Sequence, residues 1–349
     1  MSRDMKDIVI VSPGLYTTIQ DRGRRGYQEY GMPVAGAMDD FSLRTANILV
    51  GNGEYEAVLE ATMNGPEIAF NTDAVAAITG ANMVPKVNGR IVPMWRSIRL
   101  SGGDVLSFET AREGARAYIA FAGGLDIPLV MGSRSTFVRG GIGGFEGRKL
   151  MNGDEMNLRD RNVSIQQLIN RAIPLQYIPE YRQDCLIRAV PGPQDDYFTR
   201  GSLESFFKSE YQMSNEADRM GYRLSGPALE HKYGADIISD GISLGSIQIP
   251  GHGMPIVMLA DRQTTGGYPK IATVISSDIP LMAQLKPGDR VSFERVDIRE
   301  AHRILKEYES RIGAIKNYVN NNRLNINQVK RYDLKIEGVG YEVMVEELE

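Results

Sequence analysis

The run Asp261-Arg262-Gln263-Thr264-Thr265-Gly266-Gly267-Tyr268-Pro269-Lys270 gathers one acid, one guanidinium, one amide, two hydroxyls and one amine around a pair of glycines. Such a set can hold a carboxylate through charge-assisted hydrogen bonds and stabilise an oxyanion, and the glycines let a ligand approach the backbone. It also reads as a plain surface loop ending in a solvated lysine. Four other polar residues carry the same pair of readings. Asn82 and Asp240 follow strand-like runs and are flanked by small residues; each either meets a ligand or bonds its own backbone in a turn. Gln194 closes the rigid turn Pro191-Gly192-Pro193-Gln194, and Arg219 follows Glu216 and Asp218, which offer it a local ion pair.

Other patterns point away from familiar chemistry. Gly241-Ile242-Ser243-Leu244-Gly245 has hydrolase spacing, but the strand-like Ser246-Ile247-Gln248-Ile249-Pro250 follows where a nucleophile elbow needs a helix. Gly140-Gly141-Ile142-Gly143-Gly144-Phe145-Glu146-Gly147 fits neither the phosphate loop nor the dinucleotide fingerprint, so ATP is expected on another chain. His231, His252 and His302 show no ligand spacing, and no metal is expected. Of the three, only His252 is placed near the site. The single cysteine, Cys185, in an apolar strand-like run, excludes an internal disulfide and reads as a buried small hydrophobe.

Bulk properties narrow the field further. Lys and Arg number 40 against 44 Asp and Glu, a net charge of -4 with both signs mixed. Nucleic acid is therefore not expected as a partner, because neutralising phosphates needs a basic surface. Met1-Ser2-Arg3-Asp4 lacks an apolar leader, and Gly241 to Ala260, free of Asp, Glu, Lys and Arg, is broken by glycine and proline. A soluble, cytoplasmic protein without membrane contact is expected.

The elements that must position these residues are mostly strands. Ile8–Val11, Ala74–Ile78, Ala117–Phe121 and Ile256–Leu259 are short apolar runs bounded by turn formers. Two Gly-Asp turns recur in one frame, Ser101-Gly102-Gly103-Asp104-Val105-Leu106-Ser107-Phe108 and Lys286-Pro287-Gly288-Asp289-Arg290-Val291-Ser292-Phe293; Gly153-Asp154 is a third. Asp21-Arg22 before Gly26-Tyr27 is likewise echoed by Asp261-Arg262 before Gly267-Tyr268. The echoes predict two related β domains, at 1–175 and 176–296, built as barrels or sandwiches. Asp40 to Val50 and Ser202 to Phe207 read as helices, the first able to cover a barrel end. Ile298, Ala301, Leu305, Tyr308, Ile312, Ile315 and Val319 form one stripe, predicting a helix over 297–322. That stripe either packs on its own chain or joins another. Period-two alternation then predicts a β-hairpin over 330–349.

Several segments together resemble the allophanate hydrolase subunit 2 family. They are Gly14–Gly23, Gly26-Tyr27, Gly31–Asp39, Leu59-Glu60, Thr79–Asn82, Arg116–Tyr118, Gly123-Gly124, Pro191–Gln194, Ser214–Leu224, Ser239–Ile242, Gly245–Pro250 and Ala260–Lys270. That family includes the carboxyltransferase half of urea carboxylase, the C component of bacterial 5-oxoprolinase, and Kip-type regulatory proteins. The resemblance, over about residues 8 to 296, implies two cyclophilin-like β-barrels in a mainly β chain. It implies a role as the C component of an ATP-dependent 5-oxoprolinase complex, opening 5-oxoproline to L-glutamate. The alternatives are a biotin-dependent carboxyltransferase acting on urea or a related amide, and a binding protein that relieves inhibition of a sensor kinase. Lys270, Asp261 and Asp240 are implied as catalytic; Asn82, Gln194, Arg219, Gln248, Arg262, Gln263, Thr264 and Thr265 as substrate-binding. Lys270 and Arg262 would hold a substrate carboxylate, with Asp261 orienting one of them. A subunit 1-type homologue is implied as the other half of the cleft, with a third subunit beside it. The hairpin resembles the first strands of a biotin carrier domain, yet no Ala-Met-Lys-Met motif occurs. No cofactor is expected on this chain; ATP, and biotin if used, belong to partners.

Overall fold

The computed structural model describes residues 5–322, 326–336 and 339–348. The expectation drawn from Met1-Ser2-Arg3-Asp4 lies outside them, as do Glu337, Gly338 and Glu349 of the hairpin. The chain is mainly β. In the first half a six-stranded sheet is ordered Glu155–Met156, Ile8–Ser12, Glu67–Phe70, Val105–Ser107, Lys86–Val87, Arg90–Ile91. A five-stranded sheet is ordered Tyr16–Gln20, Val58–Thr62, Glu113–Phe121, Ala74–Asn82, Ser97–Leu100. Ile8, Ile10, Ile68, Phe70 and Leu106 of the first meet Ile78, Leu100, Ile119 and Phe121 of the second in one core.

The strands Ala74–Asn82 and Glu113–Phe121 of the smaller sheet are buried on both faces. Successive side chains of a strand point to opposite sides. Ala76, Ile78, Ile119 and Phe121 therefore enter the inter-sheet core, while Val75, Ala77, Tyr118 and Ala120 form a second, outer core. That outer face is covered by the helix Asp40–Leu49, whose Asp39 caps it by accepting the Ser42 N–H at 2.9 Å. The helix thus covers a sheet face rather than a barrel end.

In the second half, seven strands close into a barrel: Asp184–Pro191, Lys270–Val274, Ser246–Gln248, Ile256–Met258, Gly221–Ser225, Glu210–Ala217 and Arg290–Arg295. The short helix expected near Ser202 spans Arg200–Lys208. The three Gly-Asp turns prove to be one device. Gly103, Gly153 and Gly288 have φ of 96, 86 and 94°, and each following aspartate accepts the N–H three residues back. Those bonds run from Ser101, Met151 and Lys286 at 2.7, 2.8 and 2.8 Å. Only glycine enters that left-handed region without steric cost.

The tail helix, Ile298–Asn321, packs on its own chain. Ile312, Ile315 and Val319 join the outer core beside Phe41 and Leu43, while Ile298 and Leu305, at the other end of the stripe, stay exposed. Ile326–Ile336 and Val339–Leu348 then form the expected hairpin, a two-stranded sheet separate from the others, with Tyr332, Leu334 and Ile336 exposed.

Gln284 fastens the halves together. Its side-chain oxygen accepts from Ala115 N and Arg116 N, both at 2.9 Å, and its amide donates to Arg116 O and Asp39 at 2.9 and 2.7 Å. Arg116 in turn donates to Tyr222 Oη and, at 2.6 Å, to Ala283 O.

Candidate functional site

The barrel strand Lys270–Val274 runs between Ser246–Gln248 and Asp184–Pro191, and its register sets Lys270 opposite Gln248. The Lys270 side chain is only 3% exposed. Its ammonium donates to Asp240 Oδ2 at 2.6 Å and to Gly241 O at 3.0 Å. Asp240, by contrast, is 53% exposed, so the pair stands at the boundary between barrel and solvent. The hydrogen bond from Lys270, then those from Gly241 N and Gln194, hold the Asp240 carboxyl below its ordinary range. It is a carboxylate at neutral pH, able to accept from a ligand.

Gln194 bridges the pair. Its amide donates to Asp240 Oδ2 at 3.2 Å and its oxygen accepts from Lys270 N at 3.2 Å. Two glycines make this approach possible. A Cβ on Gly192 would stand 2.0 Å from Lys270 O, and one on Gly266 would stand 2.9 Å from Gln248 Nε2. Asp240–Gly241 pairs with Thr265–Gly266 as a two-residue ladder, which ties the acid to the far loop. Gln248, buried, donates to Tyr268 O at 3.2 Å and fixes that loop's end. Gln248, Gln263 and Tyr268 then line an open cleft of about 600 Å³.

The sequence-predicted residues therefore divide. Lys270, Asp240, Gln194 and Gln248 come together, with Thr265 on the adjoining ladder. Gln263 lines the adjacent cleft and also a smaller one shared with Thr264 and Arg262; the Thr264 carbonyl further accepts the Ile242 N–H at 2.9 Å. Asn82 lies elsewhere, in the first half, accepting from Val84 N at 3.2 Å and lining a separate cleft with Trp95.

Arg219 and Asp261 stand apart from the cluster. Both are buried, and the Arg219 guanidinium meets Asp261 at 3.0 Å through Nε and again through Nη2. It also pairs with Glu60 and reaches Gly36 O at 2.5 Å. The local pairing expected with Glu216 and Asp218 is thus not the one formed; Arg223 takes Glu216 instead. Asp261 does not orient Lys270 or Arg262, because Arg219 occupies its carboxylate; Asp240 is the acid on Lys270. Tyr118, donating to Glu60 at 2.8 Å, completes this buried set, and burial pushes its phenol well above the usual range. Sequence reasoning missed Glu60 and Tyr118 as partners of Arg219, since nothing local links residues so far apart in the chain.

Arg262 bonds two carbonyls, Ile242 O at 3.0 Å and Leu259 O at 3.2 Å. Among the described residues no hydrogen bond joins it to Lys270, Asp240 or Gln194. His252 accepts from Met254 N at 3.1 Å in its own turn, and Gly241–Gly245 leads directly into a strand, so no nucleophile elbow is built around Ser243. Among the described residues no group of acids, histidines or cysteine is placed to hold a metal. No described helix is long and apolar enough to cross a membrane.

A family model described as carboxyltransferase domain, subdomain A and B, matches residues 30–295. The Escherichia coli K12 protein named as the C component of 5-oxoprolinase is 38% identical over 293 residues, spanning 84% of this chain and 92% of its own length. Its namesake from Haemophilus influenzae is 35% identical over 302 residues, spanning 86% and 95%. The crystal structure of Kluyveromyces lactis urea carboxylase superposes with a TM-score of 0.85 at 29% identity, covering 99% of this chain and 33% of that one.

Proposed function

This chain belongs to the carboxyltransferase family of subdomain A and B proteins, and from that membership we propose that it serves as the C component of an ATP-dependent 5-oxoprolinase. It would open 5-oxoproline to L-glutamate as one subunit of a cytoplasmic enzyme complex. The observation that carries the reading is the donor and acceptor set at Lys270, Asp240 and Gln194. A lactam is a cis amide, presenting N–H and C=O along one edge. A half-exposed carboxylate beside an ammonium and a side-chain amide complements that edge: Asp240 accepts the N–H, and Gln194 and Lys270 donate to the oxygen. Lys270 also supplies positive charge where a carbonyl oxygen gains negative charge. Two relatives that this chain matches nearly end to end are named as 5-oxoprolinase components, which supports the substrate class. We place ATP, and biotin if it is used, on partner subunits, with a subunit 1-type homologue completing the cleft.

The urea carboxylase superposition favours a second reading, in which the same amide-complementary set receives urea during carboxyl transfer. Reconstitution with the subunits encoded beside it, assayed on 5-oxoproline and on urea, separates the two. Glutamate formed from 5-oxoproline with ATP consumption supports the first. Urea carboxylation without glutamate formation overturns it.

A further inference from the structure

A second cleft, of about 580 Å³, lies where the halves meet and is lined by three acids and three arginines. Its acids are already engaged. Asp21 accepts from Gly23 N, Arg134 N and the Ser133 and Ser135 hydroxyls at 2.5–2.8 Å. Glu309 takes two bonds from Arg44 at 2.8 Å, and Asp40 takes Tyr308 Oη at 3.2 Å with Arg44 at 3.5 Å. The three arginines that line it, Arg22, Arg25 and Arg262, make no salt bridge among the described residues. Arginines without a salt bridge are ordinary on a surface, as Arg22, stacked over the Tyr55 ring at 5.0 Å, and Arg25 are. Arg262 is different: it is only 9% exposed and satisfied solely by carbonyls through Nε and Nη1, which leaves Nη2 without an acceptor among the described residues. Burial, then the nearby charge of Arg25, lower its pKa to about 10. A desolvated guanidinium without a counter-ion is costly and is the kind of group that an anion would relieve. Arg22 and Arg262 also occupy matching places in the Asp-Arg echo, so the repeated motif brings one arginine from each half to the same cleft.

We infer that this cleft is a binding site for a phosphoryl dianion, held by Arg262 and Arg25 with Arg22 at its edge. Three guanidiniums on one cleft, one of them buried without a counter-ion, suit a ligand with more than one charge, and the planar fork of arginine matches phosphate oxygens. The site is separate from the Lys270 cluster, and the inference goes beyond the proposed activity. Its test needs no turnover, so it can fail while that activity stands. The group arrives either as free phosphate or on a larger molecule, for which the cleft has room.

Isothermal titration of the purified full chain, at constant ionic strength in chloride, should show binding of inorganic phosphate. Arg262→Gln should weaken it by about 10- to 100-fold and Arg25→Ala by about 3- to 10-fold, the range for one charged hydrogen bond or a screened charge. Malonate, a dianion of different shape, should bind at least about 10-fold more weakly. ATP competing with phosphate in wild type but not binding Arg262→Gln would assign the group to a nucleotide; phosphate binding without ATP competition would assign free phosphate. No phosphate binding to wild type, equal binding by malonate, or wild-type affinity in Arg262→Gln overturns the inference. Should Arg262→Gln fail to fold, unchanged affinity in Arg25→Ala, an exposed position, overturns it alone.

Discussion

At Lys270 charge and packing can be separated, because its stem is buried and its ammonium meets a half-exposed carboxylate. Lys270→Met keeps the stem and removes the charge. In the reconstituted complex kcat/KM should fall by about 30- to 1000-fold, the equivalent of ~2–4 kcal/mol for a charge-assisted contact made by a buried ammonium. Melting temperature should drop by only a few degrees, since the variant leaves Gly241 O short of one donor, worth about 1 kcal/mol. Wild-type kinetics would remove Lys270 from the site. A second residue, Asp39, sets a pH dependence. Burial raises its carboxyl to about 6, against hydrogen bonds from Gln284 and Ser42. Its folded pKa lies above the unfolded value of about 4, so between these pH values the folded chain binds the extra proton. Stability from this group is present below about pH 4 and is lost as pH rises through about 6. In Asp39→Asn that loss disappears, so the variant's melting temperature should gain on wild type between about pH 4 and 6.5; parallel curves would contradict the assignment. Polar residues such as Lys270 and Asp240 were legible because their glycine neighbours and residue types are local signals. That Asp240 rather than Asp261 meets Lys270 was not, since strand register decides it.

Elements were legible in proportion to their periodicity. The tail helix shows its stripe plainly, and the strands at Ala74 and Ala117 show apolar runs, yet nothing in either says which surface receives the helix. It lies on the helix Asp40–Leu49, in a core that also holds Val75 and Tyr118. Deleting side-chain volume there should be expensive. Ile315→Ala, at a fully buried site, should cost about 2–4 kcal/mol in urea denaturation. Leu305→Ala, on the same stripe but 37% exposed, should cost about 1 kcal/mol or less. Equal losses at the two positions would show that the helix is held along its whole length by something besides this core. The Gly-Asp turns were legible as a repeated motif because one left-handed glycine and one capping acid suffice to make each. Whether the sheets so connected close on themselves depends on pairings far apart in sequence: the second half closes, whereas the first keeps two sheets around its core.

Polar contacts join the halves of the molecule alongside apolar ones such as Met38, which sits in the barrel core. Arg219 from the barrel answers Glu60 of the first half, and Gln284 answers Ala115 and Arg116. Arg219→Leu leaves Glu60 and Asp261 buried without their cation, a loss of about 3–5 kcal/mol. Because the sole tryptophan, Trp95, sits in the first half, its fluorescence reports that half while far-UV circular dichroism reports both. Wild type should unfold with the two signals coincident, and Arg219→Leu should separate them; coincident curves in the variant would mean the ion pairs do not couple the halves. A further prediction at this scale is that the purified chain alone has no 5-oxoprolinase activity and co-purifies with a subunit 1-type partner. Full activity of the isolated chain would refute it. The same long-range joint has a consequence in time. Glu60 must wait for Arg219, 159 residues later, to leave the ribosome. At about 5–20 residues per second that delay is roughly 8–32 s. Through that interval the first half lacks the cation that lets one of its acids be buried. The nascent chain therefore commits to its native interior only when the barrel arrives, so slowing translation between these points should lengthen the period in which chaperones can bind it.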